Sequence, residues 1–210
     1  MAEAGYAMKD ADLTLNDTWI LYFHYAVHDR NCYDSSIEAV AYVNDCCEFG
    51  YMCNALTPSD LSNFVVSRQG AHITGFSFFR NGIAPCWEHP DNAAGFDVCL
   101  REATSDDAFD KCWHALMAIA MGETLNDCLG VRVVSKASAH RVTRKLEAWM
   151  SANAGPEATL AFVKEQVADT DTWIVEQHTS QEHSTNHTRP APRDRRTWAR
   201  NPRRSGSNRD

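Results

Sequence analysis

The chain has 210 residues, which is enough for one domain with a full-sized core. Apolar residues make up 44% of it and charged residues 23%, and this composition excludes a wholly disordered protein. Asp and Glu outnumber Lys and Arg by 28 to 20, so a protein that coats long nucleic acids with a basic surface is not expected. The basic charge is concentrated near one end: residues 178–210 carry eight Arg and three acids, which leaves a net charge of −13 on residues 1–177.

Two shifts in composition predict the domain boundaries. Residues 1–16 are predicted to be a flexible lead-in, and since they contain no signal peptide, a cytoplasmic protein is expected. Residues 17–177 are predicted to form the folded domain. Residues 178–210 have Trp198 as their single large apolar side chain, so we predict a disordered Arg-rich tail there. This tail is either simply solvated or a weak arm for RNA or a partner.

Seven segments have the apolar composition or the two-residue alternation of β-strands. Branched and aromatic residues dominate the first and third of them, while the later ones alternate between apolar and polar side chains. In chain order the predicted strands are Trp19–Tyr25, Ala39–Val43, Ile73–Arg80, Phe96–Arg101, Leu129–Lys136, Lys145–Met150 and Thr172–Val175.

Three helices are predicted between these strands. The first begins at a cap formed by Asn44 or Asp45, and the third follows Gly155. The second has the strongest pattern, with a cap at Thr104, an end at Gly122 and an apolar stripe at helical spacing. The residues of that stripe are Phe109, Cys112, Trp113, Leu116, Met117, Ala120 and Met121.

The order of these elements predicts the fold class. Strands that are joined by hairpins and long loops, with three spaced helices, indicate an α+β domain. An antiparallel sheet with helices on one face fits this order best, and its other face is then free for a ligand.

The two late strands predict a basic patch on the face of the sheet that has no helices. Each strand has one apolar face and a second face with cations, and Trp149 shares that second face. The cations are Arg132, Lys136 and Lys145 on the strands, with Arg141 and Arg144 in the predicted loop between them. Such a patch on an acidic body suits a few phosphates, although a solvated face with scattered cations is an equal alternative.

A turn between two of the strands presents an aromatic ring and an acid side by side. Gly82 and Pro85 predict a rigid loop, which is followed at once by Trp87 and Glu88. The indole offers a flat π surface, and the carboxylate accepts two hydrogen bonds in one plane. This pair suits a flat, positively charged ring with adjacent N–H donors. A packing role for Trp87 is the alternative interpretation.

Four blocks of the chain carry a family resemblance. They read FRNGIAPCWE at Phe79–Glu88, WILYF at Trp19–Phe23, WHALMAIAMGE at Trp113–Glu123 and LGVRVVSK at Leu129–Lys136. In order and spacing they resemble the F-K-D-G-I-x-P-x-W-E, W-x-L-W-F, W-x(8)-G-E and C-G-A-V-V-N-V-R blocks of eukaryotic translation initiation factor 4E. The resemblance to this family of messenger-RNA cap-binding proteins spans about residues 13–177.

The resemblance implies a strongly curved antiparallel sheet with three helices on its convex face. It implies the 7-methylguanosine 5′ cap of messenger RNA as the ligand of the concave face. The family stacks the methylated guanine between two Trp rings; Trp87 matches the second ring, and Tyr33 falls at the position of the first. Glu88 matches the carboxylate that binds the guanine edge. Trp149 matches the Trp that packs near the methyl group.

The resemblance also implies how the cap phosphates are bound. Lys136 matches a phosphate-binding Arg of the family, and Lys145 matches a phosphate-binding Lys. We expect one of Arg132, Arg141 or Arg144 to supply a further cation. No bond is made or broken in such a site, so no catalytic residue, metal or cofactor is expected.

The chain departs from the family on the convex face, where scaffold and repressor proteins bind through a Y-x(4)-L-Φ helix. Spacing puts Gly50 at the family's central Trp and Tyr51 next to it. His114 and Ala118 stand at two positions that are apolar in the family. We therefore predict a scaffold or repressor partner that docks in a non-standard mode.

Three functions follow from these patterns. The first is a cap-binding factor of translation initiation, and the second is a cap-binding repressor or paralogue that does not recruit the usual scaffold. The third, remote alternative is an enzyme that uses Cys86 and His89 with Glu88 beside them. No nucleophile motif surrounds that group, so we predict that the protein is not an enzyme.

Overall fold

A computed structural model of the protein describes residues 13–26, 36–62, 72–101, 105–137, 142–167 and 172–178. Five side chains within these ranges are left out of the description: Asp60, Ser62, Lys136, Ala137 and Val142. No helix in the described ranges is both long and apolar enough to cross a bilayer.

One antiparallel sheet contains every strand of the described residues. The order across the sheet is β2-β1-β3-β5-β6-β4-β7. Each strand matches one of the seven predicted segments, with somewhat different ends. The bounds are β1 Thr14–Tyr25, β2 Ile37–Asp45, β3 Ile73–Arg80, β4 Phe96–Arg101, β5 Cys128–Ala137, β6 Val142–Met150 and β7 Trp173–Gln177.

Four α-helices and one 3₁₀ helix occur in the described residues, and three of the α-helices correspond to the predicted ones. The prediction lacks α2, because a helix of four residues has no periodicity to detect. The bounds are α1 Cys46–Ala55, α2 Pro90–Ala93, α3 Asp106–Met121 and α4 Pro156–Gln166, with the 3₁₀ helix at Pro58–Ser62.

Side-chain caps determine where α1 and α3 begin. The Asp45 carboxylate accepts hydrogen bonds from the N–H groups of Cys47 and Glu48, at 2.8 Å each, and so selects between the two predicted caps of α1. On α3 the cap is Ser105, whose hydroxyl accepts from the Ala108 N–H at 3.2 Å. The predicted cap, Thr104, is therefore off by one residue and lies outside the described residues.

The core lies between the sheet and α3. All seven residues of the predicted stripe are buried, and they are the buried residues of that helix. Trp113 is fully buried, with its ring edge-on to Phe76 at a centroid distance of 5.1 Å. Apolar burial of this kind is the main stabilising contribution to such a domain. The sheet is curved, and the helices cover its convex face.

Alternate residues of the central strands lie on the concave face. Each row across β3, β5, β6 and β4 is set by the strand register. The rows are Phe79, Gly130, Trp149 and Asp97; then Ser77, Arg132, Glu147 and Cys99; then Gly75, Val134, Lys145 and Arg101. Val131, Val133, Leu146 and Ala148 alternate with them and lie in the core. This confirms the predicted division of β5 and β6 into an apolar face and a face with cations.

Candidate ligand site on the concave face

The loop between β3 and α2 presents Trp87 to solvent. Asn92 of α2 is fully buried, and its Nδ2 donates to the carbonyl oxygens of Ala84 and Cys86, at 2.8 Å each. One amide thus fixes two carbonyls of the loop immediately before the tryptophan. The Trp87 side chain is nevertheless 53% exposed, so a large part of its indole is open to solvent.

His89 fixes the other part of this loop. Its Nε2 lies 3.0 Å from the carbonyl oxygen of Gly82, and its Nδ1 accepts from the Asp91 N–H at 3.4 Å. A carbonyl only accepts, so Nε2 carries the proton and both ring nitrogens are engaged with the backbone. Gly82 has φ +90°, a conformation that disfavours any residue with a Cβ. Glu88, between Trp87 and His89, is exposed.

Two further rings form a floor beneath Trp87. The Trp149 centroid lies 6.3 Å away and the His178 centroid 6.1 Å away, with the imidazole nearly parallel to the Trp87 indole. Trp149 and His178 lie 4.7 Å apart, and Phe79 packs edge-on to Trp149 at 5.4 Å. Trp149 is 1% exposed, so it closes the bottom of the site while Trp87 stays open.

His178 belongs to this site, although its composition places it at the start of the predicted tail. Its Nδ1 donates to the carbonyl oxygen of Asn92 at 2.8 Å, and its backbone N–H donates to Gly95 at 3.0 Å. Its Nε2 lies 3.6 Å from Asp97 Oδ1. The residue is 7% exposed. The one sequence signal for it is its position directly after the last strand.

Lys145 is surrounded by carboxylates. Its Nζ lies 2.9 Å from Asp97 Oδ2, 2.9 Å from Glu147 Oε1 and 2.6 Å from Glu176 Oε2. Burial acts to lower the pKa of Lys145, but the attraction of Glu147 and Asp97 outweighs it and raises that pKa above its ordinary value. The ammonium is therefore fully charged and already paired.

Glu147 links this lysine to Arg132 and Trp149. The Arg132 guanidinium lies over the Trp149 ring at 5.4 Å, with Nε 3.1 Å from Glu147 Oε2. The Trp149 Nε1 donates to the same oxygen at 2.9 Å. Burial acts to raise the pKa of Glu147, but Arg132 and Lys145 outweigh it and lower that pKa. Glu147 is thus an ionised carboxylate at the centre of the concave face.

Arg144 lies on the opposite face of the sheet from Lys145. The prediction of a loop position is wrong, since β6 begins at Val142 and includes this residue. Its guanidinium forms an ion pair with Asp106 of α3 and lies 4.9 Å from the centre of the Phe109 ring. The strand is longer than the apolar run that predicted it, and strand alternation then turns Arg144 toward the helices.

Three of the predicted site side chains lie outside the description. Tyr33 and Arg141 lie outside the described residues. The backbone of Lys136 belongs to β5, but its side chain is outside the description. Of the predicted set, the structure brings Trp87, Trp149 and the cations Arg132 and Lys145 to one face.

The four predicted convex-face positions lie on α1 and α3. A Cβ added at Gly50 would meet nothing within 4 Å, and the neighbouring Tyr51 is 74% exposed. His114 Nε2 lies 3.1 Å from the carbonyl oxygen of Cys53, which joins the two helices. Ala118 is exposed on the same helix as His114.

The family model of eukaryotic initiation factor 4E matches residues 14–191. The chain belongs to this family. Its members are cap-binding factors of translation initiation. No curated protein matches this sequence.

Solved structures of family members share the fold. Ascaris suum eIF4E-3, solved with the m7G cap, is 19% identical with a TM-score of 0.59, over 81% of this chain and 93% of that one. C. elegans eIF4E-3, solved with the 4E-binding protein Mextli, is 20% identical with a TM-score of 0.58, over 79% and 93%. Schistosome eIF4E, solved with m7GpppG and 4E-BP, is 19% identical with a TM-score of 0.62, over 84% and 94%. The cupped α+β fold that the resemblance implies is thus confirmed.

Proposed function

We propose that the protein binds the 7-methylguanosine 5′ cap of messenger RNA on its concave face and acts in translation initiation in the cytoplasm. The observation that carries this proposal is the exposure of Trp87 on a loop fixed by Asn92 and His89, with Glu88 beside it. Family membership supports it, as do the complexes of Ascaris suum eIF4E-3 and schistosome eIF4E with m7G cap and m7GpppG.

The chemistry of the methylated base fits these residues. Methylation at N7 leaves a delocalised positive charge on guanine, which is attracted to the face of Trp87 and, in our proposal, of Tyr33. Each stacked ring contributes ~1–3 kcal/mol. The same charge acidifies N1–H, so its hydrogen bond to the Glu88 carboxylate is charge-assisted and contributes roughly 1.5–3 kcal/mol. Unmethylated guanosine lacks both gains.

The remaining parts of the cap are assigned to residues around this pair. Trp149 closes the floor below Trp87, and we propose that it contacts the methyl group. Among the predicted phosphate ligands, Lys136 and Arg141 are the ones that we propose for that role. Arg132 and Lys145 face the ligand but are paired with carboxylates in the structure.

Calorimetry with 7-methylGTP and GTP tests the proposal on the full chain. We expect at least about a tenfold preference for the methylated nucleotide, which corresponds to about 1.4 kcal/mol. Trp87→Ala and Glu88→Ala should abolish binding without changing the circular dichroism spectrum. Tyr51→Ala and Glu157→Ala, an exposed aromatic residue and an exposed acid elsewhere, are the matched controls and should bind as the wild type does. Unchanged affinity in Trp87→Ala would refute the site.

We further propose that a scaffold or repressor protein docks on the convex face in a non-standard mode. Gly50 leaves open the place where the family carries a Trp, because no atom lies within 4 Å of a Cβ built there. We expect a Y-x(4)-L-Φ peptide to bind weakly in calorimetry and Gly50→Trp to strengthen its binding. Full family affinity in the wild type would contradict this mode.

An initiation factor and a repressor differ in their effect on the translation of capped messages. Adding the protein to a cap-dependent translation extract that lacks its own cap-binding factor distinguishes the two. Restored translation supports the initiation factor. In an extract that keeps its own cap-binding factor, inhibition of capped but not of uncapped messages supports the repressor.

An enzyme that uses Cys86 and His89 is disfavoured by the hydrogen bonds of the imidazole. Both ring nitrogens of His89 bond to the backbone, so neither is available to take a proton from a thiol. We therefore propose binding without catalysis. Recovery of an intact cap analogue after prolonged incubation is the expected result, and accumulation of a hydrolysis product would overturn it.

A further inference from the structure

The Arg-rich tail, residues 178–210, begins at the floor of the ligand site. Its first residue, His178, is 7% exposed and is held by two hydrogen bonds. The backbone N–H donates to Gly95 at 3.0 Å, and Nδ1 donates to Asn92 at 2.8 Å. The imidazole centroid lies 6.1 Å from that of the Trp87 ring. The rest of the tail lies outside the described residues, and it continues along the chain from this fixed point beside the proposed cap site.

The composition of the tail suits single-stranded nucleic acid. A guanidinium binds a phosphate through two parallel N–H···O bonds, which a lysine ammonium does not do. Trp198 stands between Arg196 and Arg200, and an indole stacks on a base of any sequence. The tail has eight Arg and no Lys against three acids, and its arginines are Arg189, Arg193, Arg195, Arg196, Arg200, Arg203, Arg204 and Arg209.

The rest of the chain has the opposite charge. Residues 1–177 contain 12 basic and 25 acidic side chains, a net charge of −13, whereas the tail has a net charge of +5. Unlike the cap alone, a capped message continues as a long polyanion. At 0.1 M salt its phosphates are repelled by like charges within about 10 Å. The acidic domain therefore opposes the RNA beyond the cap, and the tail attracts it.

The acids beside His178 are the competing partners for these arginines. Asp97 Oδ2 lies 2.9 Å from Lys145 Nζ, and Glu176 Oε2 lies 2.6 Å from the same nitrogen. Glu176 also forms an ion pair with Arg101. Both carboxylates thus have cationic partners within the folded domain. Their pairing favours RNA over these acids as the partner of the tail.

The tail is long enough to reach RNA that is held at the ligand site. An extended residue spans at most about 3.6 Å, so Arg189 lies within ~40 Å of His178 and Arg196 within ~65 Å. A bound cap keeps the first nucleotides of its message inside this radius. Binding of the tail to them is then intramolecular, and it gains from the effective concentration that a short connection provides.

We propose that the Arg-rich tail binds the phosphate backbone of a capped message downstream of the cap, without preference for its sequence. This inference rests on the proposed cap binding. Lys136 and Arg141 keep their proposed role at the cap phosphates, and the tail contacts the phosphates that follow. The protein then binds a capped RNA more tightly than the cap by itself.

The experiment compares the dinucleotide 7-methylGpppG with a 7-methylG-capped oligouridylate of twelve nucleotides, by calorimetry on the full chain. In the wild type we expect the capped RNA to bind at least about tenfold more tightly. The double variant Arg195→Gln with Arg196→Gln should weaken binding of the capped RNA roughly fivefold. It should also reduce the slope of log K against log salt by about 1.4, at ~0.7 for each charge. Its affinity for the dinucleotide should stay within about twofold.

Two further variants serve as controls. Lys111→Gln with Lys164→Gln removes the same charge from α3 and α4 on the convex face, where the Lys111 side chain is 75% exposed. It should change neither affinity. Arg195→Lys with Arg196→Lys keeps the charge of the tail, so it should retain the salt dependence of the wild type.

The outcomes separate this inference from the proposed function. Equal affinities of the wild type for the dinucleotide and the capped RNA would overturn the role of the tail and leave cap binding intact. Unchanged or tighter binding of the capped RNA in the Arg-to-Gln variant would also overturn it, and would assign the tail to the acidic domain or to an acidic protein. If the dinucleotide fails to bind and capped and uncapped oligouridylates bind alike, the proposed function fails, and this inference fails with it.

Discussion

Two tryptophans, Trp113 and Trp149, are equally buried on opposite faces of the same sheet. Trp113 of α3 is 0% exposed and Trp149 of β6 is 1% exposed. The Trp113 Nε1 has no hydrogen-bond partner among the described residues, and the ring packs against Phe76 and Phe78. The Trp149 Nε1 donates to Glu147. One indole is used as an apolar block, and the other is held in orientation by a buried charge.

This difference shows that the two faces are stabilised by different interactions. The helix face depends on contact area, so its residues contribute in proportion to the apolar surface that they bury. The concave face depends on matched polar partners, in which the loss of one group leaves another buried and unpaired. The same burial therefore predicts different responses to substitution on the two faces.

The largest expected effect is on the helix face. Trp113→Ala leaves a large cavity against Phe76 and should lower the free energy of unfolding by ~3–5 kcal/mol in urea denaturation. Trp87→Ala removes an exposed ring and should lower it by less than ~1 kcal/mol. A loss below ~1 kcal/mol for Trp113→Ala would mean that the helix face is not the main source of stability.

A pair of glycines gives the next largest effect, with opposite signs on the two faces. A Cβ at Gly130 would lie 2.5 Å from the Phe79 ring, so Gly130→Ala should cost ~1–3 kcal/mol of unfolding free energy. A Cβ at Gly50 would meet nothing within 4 Å in a helix interior, so Gly50→Ala should add ~0.5–1 kcal/mol. Denaturant midpoints measure both. Equal signs for the two variants would contradict the comparison.

The smallest expected effect is the loss of stability as the pH is lowered. Burial, and then Arg132, lower the pKa of His24 to about 3, so the unfolded chain binds a proton below about pH 6.5 that the folded chain does not. Stability should therefore fall by about 1 kcal/mol from pH 6.5 to pH 5.5. Glu147 and Glu176 act in the same direction at lower pH, because their pKa values are lowered and the stability they add is lost as they protonate.

Denaturation at several pH values checks this dependence with two variants. His24→Gln keeps a group that can bond to the Ser77 hydroxyl, which lies 2.8 Å from Nε2, and should flatten the slope between pH 6.5 and pH 5.5. His72→Gln changes an exposed histidine and should keep the wild-type slope. An equal slope in all three proteins would show that His24 is not the source of the acid sensitivity.

The sequence allowed us to predict which residues share a face of each helix or strand, because such residues recur at a regular spacing. The stripe around Trp113 and the alternation around Lys145 were both visible in this way. The ionic partners of Lys145 were not, since Asp97 and Glu176 lie far away in the chain and meet only through the register of three strands. His178 was missed for a similar reason. Its neighbours are polar, and the carbonyl that holds it belongs to Asn92.

The two errors at element ends have a local cause. Composition predicts a loop at Arg144 because polar residues precede the apolar run of β6, although the backbone pairing extends beyond that run to Val142. Adjacent Thr104 and Ser105 are both favoured cap residues, so residue type separates the two positions only weakly. Periodicity identifies an element well and locates its ends poorly.

Asn92 joins two features of the ligand site that the chain supplies from distant segments. Its side chain fixes the loop of Trp87, while its own carbonyl holds His178. The loop that carries Trp87 and the imidazole of His178 are thus both held by one residue. A displacement of Asn92 would therefore move both rings. An engineer who wishes to widen this opening for a bulkier alkyl group would have to redesign both rings at once.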